Sequence, residues 1–225
     1  MKKLNKNFVI GGSLFLLFVV FTILVKCVDV QAIGPLNSKV GFAEFNELFL
    51  VDQTSKLWDI VSDIIMAISL LVVCLFVVLG IVQLVNRKSL KKVDKNIYVV
   101  AGLYVIVAIV FVLFELVVIN NRPVLEKGEL VASYPSTHVL FSLVFLLSGL
   151  IQLHKFYMKN RKVLVALDIV VSVLVVMIAI TRLLSGVHWI TDILASILLS
   201  GALLFVYNGV LETIMNKESK DKTLE

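Results

Sequence analysis

Six long apolar stretches, separated by short polar connectors, constrain this chain more than any other feature. They cover residues 8–25, 64–86, 97–119, 138–154, 164–184 and 193–211. Most approach the ~20 residues that a helix needs to cross the hydrocarbon core of a bilayer. A span must satisfy its own backbone hydrogen bonds, so for runs of this kind only helix is available. The composition agrees: 60% of the 225 residues are hydrophobic and 16% are charged, and mean hydropathy is +1.02. A soluble domain would carry about 25% charged residues. The expected fold is therefore all-α, a polytopic membrane protein forming one six-helix domain over residues 1–225.

The distribution of charge sets the expected topology. Six spans place both termini on one side, and fifteen of the 21 Lys and Arg residues fall on that side. They lie in the N-terminus (Lys2, Lys3, Lys6), two basic connectors (Arg87–Lys95 and Lys155–Lys162) and the tail. The positive-inside rule then makes both termini cytoplasmic. It also means that the net charge of +5 reads as topology and implies no nucleic-acid partner. Cleavage of the first run as a signal peptide is the competing reading, and its length favours a retained span. The tail from Asn216 is expected to fray.

Between the first two spans, Phe42, Phe45, Leu48 and Phe49 recur at helical spacing, with Glu44, Glu47 and Asp52 on the other face. Residues 40–56 are thus expected to form an amphipathic helix on the membrane surface, or a short helix packed over the bundle. Trp58 reads as an interfacial anchor. Asp59 and Asp63 read as solvated groups at the outer end of the second span, and His154 and Asp168 as structural groups at the inner ends. Cys27 and Cys74 read as small apolar residues, with no disulfide expected.

The chemistry concentrates at one membrane face. His188 and Asp192 are four apart, so on a helix they share a face. A carboxylate there can fix the imidazole tautomer and stabilise its positive charge. Arg182 lies just before them. The preceding outer loop supplies Arg122, and the fourth span opens with Pro135-Ser136-Thr137-His138. Two arginines can grip phosphate oxygens through planar forks. Ser136, as a helix N-cap, stands beside first-turn amides that favour an anion. Two histidines supply a nucleophile and a proton donor. No metal-ligating cluster competes with this set, and no cofactor is expected.

These residues resemble the type 2 phosphatidic acid phosphatases, or lipid phosphate phosphatases. That pattern runs Lys, six residues, Arg-Pro; then Pro-Ser-Gly-His; then Ser-Arg, five residues, His, three residues, Asp. Arg122-Pro123 matches the end of the first part. Pro135-Ser136-Thr137-His138 matches the second with Thr for Gly. Thr181-Arg182, His188 and Asp192 match the third with Thr for Ser. Glu115 stands at the place of the lysine. Read as two helical turns before Arg122, it falls on the same face about 10 Å deeper, where a buried carboxylate would pair with Arg122 or Arg182.

The resemblance implies a phosphatase acting on a lipid phosphate or diphosphate at the exterior face of a plasma membrane. Short connectors and lysine-rich edges suit a bacterial one. In that mechanism His188 attacks phosphorus, Asp192 stabilises it, and His138 protonates the leaving oxygen. Arg122, Arg182, Ser136 and Thr137 bind the substrate, and Glu115 modulates it. A non-catalytic relative that binds or moves a phosphorylated lipid is the second reading, resting on Glu115.

Overall fold

The computed structural model describes residues 5–51 and 54–224, the last four as backbone only. Lys2, Lys3 and Asp52 lie outside the described residues. Among the described residues, six helices are long and apolar enough to cross a membrane. The first span is Lys6–Cys27, the second Lys56–Arg87 and the third Lys95–Leu116. The fourth, Thr137–Gln152, continues through a π turn to Tyr157. The fifth is Arg161–Leu184 and the sixth Ile190–Leu224. The all-helical membrane fold read from the apolar runs is therefore present.

The fourth span is the hub. It packs against the second, fifth and sixth spans, and its inward residues Val139, Leu140, Val144 and Phe145 are buried. The first span lies along the sixth. Gly11 makes that contact close: a Cβ there would meet Val206 Cγ2 at 2.7 Å and the carbonyl oxygen of Ala202 at 3.1 Å. Small residues permit such approach where hydrophobic burial gives helices no preference for one another over lipid. Cys27 and Cys74 are unbridged and face outward.

Helix boundaries depart from the apolar runs where polar residues find partners. The second span begins eight residues earlier than expected, taking in Trp58, Asp59 and Asp63. The sixth runs on through the tail expected to fray. Its extension is held by Glu212, which accepts from Asn5 and Asn7 Nδ2 at 3.2 and 2.8 Å, and by a Lys95–Glu218 ion pair of 3.0 Å. His154 and Asp168 pair with each other at 2.7 Å near the inner ends of the fourth and fifth spans.

The loop between the first two spans is not a surface helix over residues 40–56. Among its described residues it holds a 3-10 turn at Pro35–Asn37 and the short α-helix Ala43–Glu47. Phe42 takes a left-handed backbone conformation, which interrupts the helical phase that the phenylalanine spacing implied. Asn46 is buried instead: its Nδ2 donates to Gly41 O at 2.8 Å, and its Oδ1 accepts from Thr191 N at 3.2 Å. It thereby satisfies a first-turn amide of the sixth span. Gly41 threads this loop under the end of the first span, where a Cβ would lie 1.5 Å from the carbonyl oxygen of Val25. Backbone cannot yield locally as a side chain can. Gly41→Ala is expected to cost at least about 3 kcal/mol, seen as a lowered thermal unfolding midpoint in detergent; an unchanged midpoint would contradict the packing.

Candidate functional site

The site assembles where the second, fourth, fifth and sixth spans reach one end of the bundle. Between the third and fourth spans the chain folds back on itself. Arg122 N donates to Val131 O at 2.9 Å, and Glu126 and Glu129 exchange backbone bonds of 3.0 Å. Lys127 and Gly128 both have positive φ, 51° and 87°, the geometry of a two-residue primed turn. This hairpin holds Arg122, whose guanidinium pairs with Glu126 at 3.0 Å. Trp189 Nε1 donates to Asn121 O at 2.7 Å and ties the hairpin to the turn carrying His188.

Tyr134 anchors the entry into the fourth span. Its ring is buried against Phe18 and Phe114, and its hydroxyl shares a 2.7 Å bond with Thr22. Ser136 N donates to Asp192 O at 3.2 Å. The Ser196 hydroxyl reaches the carbonyl oxygens of both Ser136 and Asp192 at 2.9 Å. The starts of the fourth and sixth spans are thereby stitched together. Ser136 occupies the N-cap position, as its sequence context implies, but its side chain makes no capping bond.

His188, 3% exposed, points Nδ1 toward Asp192 Oδ2 at 3.4 Å. Asp192, fully buried, also accepts from Trp189 N at 3.0 Å. Burial above all holds the His188 imidazole well below its ordinary range, and the nearby Arg182, Arg122 and His138 push the same way. The ring is therefore neutral in the folded protein at neutral pH. The unfolded chain binds more protons below the ordinary histidine pKa of 6.5, so stability falls as pH drops through and below that value. Thermal unfolding in detergent should show a midpoint that declines from pH 7.5 to 5.5, with a shallower decline in His188→Gln.

Arg182 is 1% exposed. One of its terminal nitrogens donates to Asp59 Oδ1 at 2.6 Å and to Ser62 Oγ at 3.0 Å. His138 Nε2 lies 2.9 Å from Asp63 Oδ1. Asp59 and Asp63 are thus partners of the site, not merely solvated groups at a helix end. The sequence carried no signal of this, because their partners lie 123 and 75 residues away.

Glu115 is placed differently from its expected burial beside an arginine. It is exposed, while Arg122 takes Glu126 and Arg182 takes Asp59. The third span ends at Leu116, so the two-turn extrapolation from Glu115 to Arg122 runs out of helix. Glu115 instead lines a narrow pocket with Phe111, Phe114, Thr137, Leu140 and His188. The pocket thus has apolar walls, a carboxylate and an imidazole.

The unpaired atoms of the site define its chemistry. Among the described residues, Arg122 Nε, Ser136 Oγ, His138 Nδ1, Arg182 Nε and His188 Nε2 are all buried without a hydrogen-bond partner. Buried polar atoms are ordinarily paired. Three donors (Arg122 Nε, Ser136 Oγ and Arg182 Nε) and two imidazole nitrogens, from four segments of chain, suit an anion with several oxygens. Among the described residues no group of three His, Cys, Asp or Glu is arranged to hold a metal.

Residues 116–215 match the PAP2 superfamily, and this segment contains every residue from Arg122 to Asp192 discussed above. The chain also shares its fold with the first transmembrane PAP2 type phosphatidylglycerolphosphate phosphatase from Bacillus subtilis, at TM-score 0.60 and 20% identity. That likeness covers 91% of this chain and 97% of the other. No curated protein matches the chain.

Proposed function

We propose that the protein is a membrane phosphatase that hydrolyses a lipid phosphate or diphosphate at the exterior face. The observation that carries this reading is the buried set of unpartnered polar atoms from Arg122, Ser136, His138, Arg182 and His188. The PAP2 match supports the same chemistry. The basic connectors, at the bundle end opposite the site, support this orientation.

In this mechanism the phosphoryl oxygens sit against the two guanidiniums, the Ser136 hydroxyl and the first-turn amides that include Thr137. Charge stabilisation of this kind dominates phosphoryl transfer. His188 Nε2 attacks phosphorus while Asp192 holds Nδ1 and balances the charge of the phosphohistidine. His138 gives a proton to the leaving oxygen, then takes one from the water that releases phosphate. Candidate substrates are polyprenyl diphosphates, phosphatidylglycerol phosphate and phosphatidic acid. The apolar walls of the Glu115 pocket suit a substrate with hydrocarbon next to its phosphate.

Phosphate release from detergent-purified protein over that lipid panel, compared with His188→Ala, tests the reading. Release by the parent protein and its loss in the variant support it. Equal, near-zero release from both, with binding of the lipid retained, favours a protein that binds or moves phosphorylated lipid. Glu115 favours that second reading, since its carboxylate shares the pocket with His188 and would repel a phosphate there.

A further inference from the structure

We propose that Asp63 is a positioning residue that anchors His138 through Nε2, so that proton transfer in the site runs through Nδ1. The inference rests on the phosphatase reading for its kinetic consequence. It rests on geometry alone for its structural one.

His138 has one engaged nitrogen and one free one. Nε2 lies 2.9 Å from Asp63 Oδ1, whereas Nδ1 is buried without a partner. An ionised carboxylate only accepts hydrogen bonds, so the proton of the neutral ring belongs on Nε2 and Nδ1 presents a lone pair. The assignment follows from the bonding partners, as for any histidine whose hydrogens are placed by its network. Asp63 stands one turn along the second span from Asp59, which holds Arg182. One helical face thus fixes both the proton carrier and a phosphate-binding guanidinium, with Ser62 between them completing the grip on Arg182.

The consequence for the reaction is specific. With His138 protonated, Nδ1–H is the proton given to the leaving oxygen as the P–O bond breaks and the bond to His188 Nε2 forms. In the second half Nδ1 takes a proton from water as the new P–O bond forms and the P–N bond breaks. Asp63 keeps its own hydrogen bond throughout and stabilises the imidazolium form. The other charged or titratable groups that act on this ring are Arg182 from the fifth span, Arg122 from the hairpin and His188 from the turn before the sixth span. Among the described residues, Asp63 is the carboxylate that bonds to the His138 ring.

The test uses full-length protein in detergent and two independent readouts. Nitrogen NMR of histidine-labelled protein should show His138 as the Nε2–H tautomer at neutral pH; an Nδ1–H tautomer overturns the proposal. In the pH profile of kcat/KM, Asp63→Asn should move the basic limb down by about one unit, while Asp63→Glu restores it toward its original place. A lowered rate with the limb unmoved marks a merely structural role and also overturns the proposal. A parent protein that hydrolyses none of the lipids would refute the phosphatase reading, and the tautomer would still be read. Should Asp63→Asn fail to fold, the resonances of the parent protein decide alone.

Discussion

Replacing His188 with alanine is expected to lower phosphate release by at least about a thousandfold, with the protein still monodisperse in detergent. The size of the effect follows from the position of the ring. Its Nε2 is buried and unpartnered, and its Nδ1 is held by Asp192. Nothing in that geometry requires the imidazole for folding, because Asp192 keeps its bond from Trp189 N and the spans stay joined through Ser196. Binding of vanadate, a phosphate mimic, should weaken far less than turnover, since Arg122, Arg182 and Ser136 remain. A variant that retains a tenth or more of the parent rate would remove His188 from the role of nucleophile.

Asp192→Asn should come next in severity, with release down by roughly 10²- to 10⁴-fold. The carboxylate accepts from Trp189 N and from His188 Nδ1 through the same oxygen, Oδ2. An amide in its place has a single acceptor oxygen, which the Trp189 amide would compete for. Its NH₂ would then face Nδ1 and draw the imidazole into the opposite tautomer, with the proton on Nε2 where the lone pair is needed. The double variant with His188→Ala should be no slower than His188→Ala alone, because the two residues act as one unit. Additive losses would mean that Asp192 serves the site by another route.

The parts of this architecture that local pattern determines were legible in the sequence. Span number followed from the apolar runs, since a bilayer sets helix length directly. The residues of the site stood at short spacings within one face: His188 and Asp192 four apart, Ser136 and His138 at the opening of a helix. What lay hidden depended on partners distant in sequence. A carboxylate near a helix end looks the same whether it meets water or a buried guanidinium, so Asp59 and Asp63 read as solvated. The hydrophilic tail reads as frayed until Glu212 and Glu218 meet Asn5, Asn7 and Lys95. Glu115 was misplaced because helix geometry was carried past Leu116, where the chain turns toward the hairpin.

The shared hydrogen bonds of Ser196 have a mechanical consequence. Its single hydroxyl touches the carbonyl of Ser136 and that of Asp192, where the segments that carry His138 and His188 diverge. When the surrounding lipid thins or thickens, spans respond chiefly by tilting. With a pivot at this spot, tilt is taken up toward the far leaflet, and the gap between the two imidazoles keeps its width. The spacing of the two rings is thereby expected to be insulated from the elastic state of the sheet in which the protein floats.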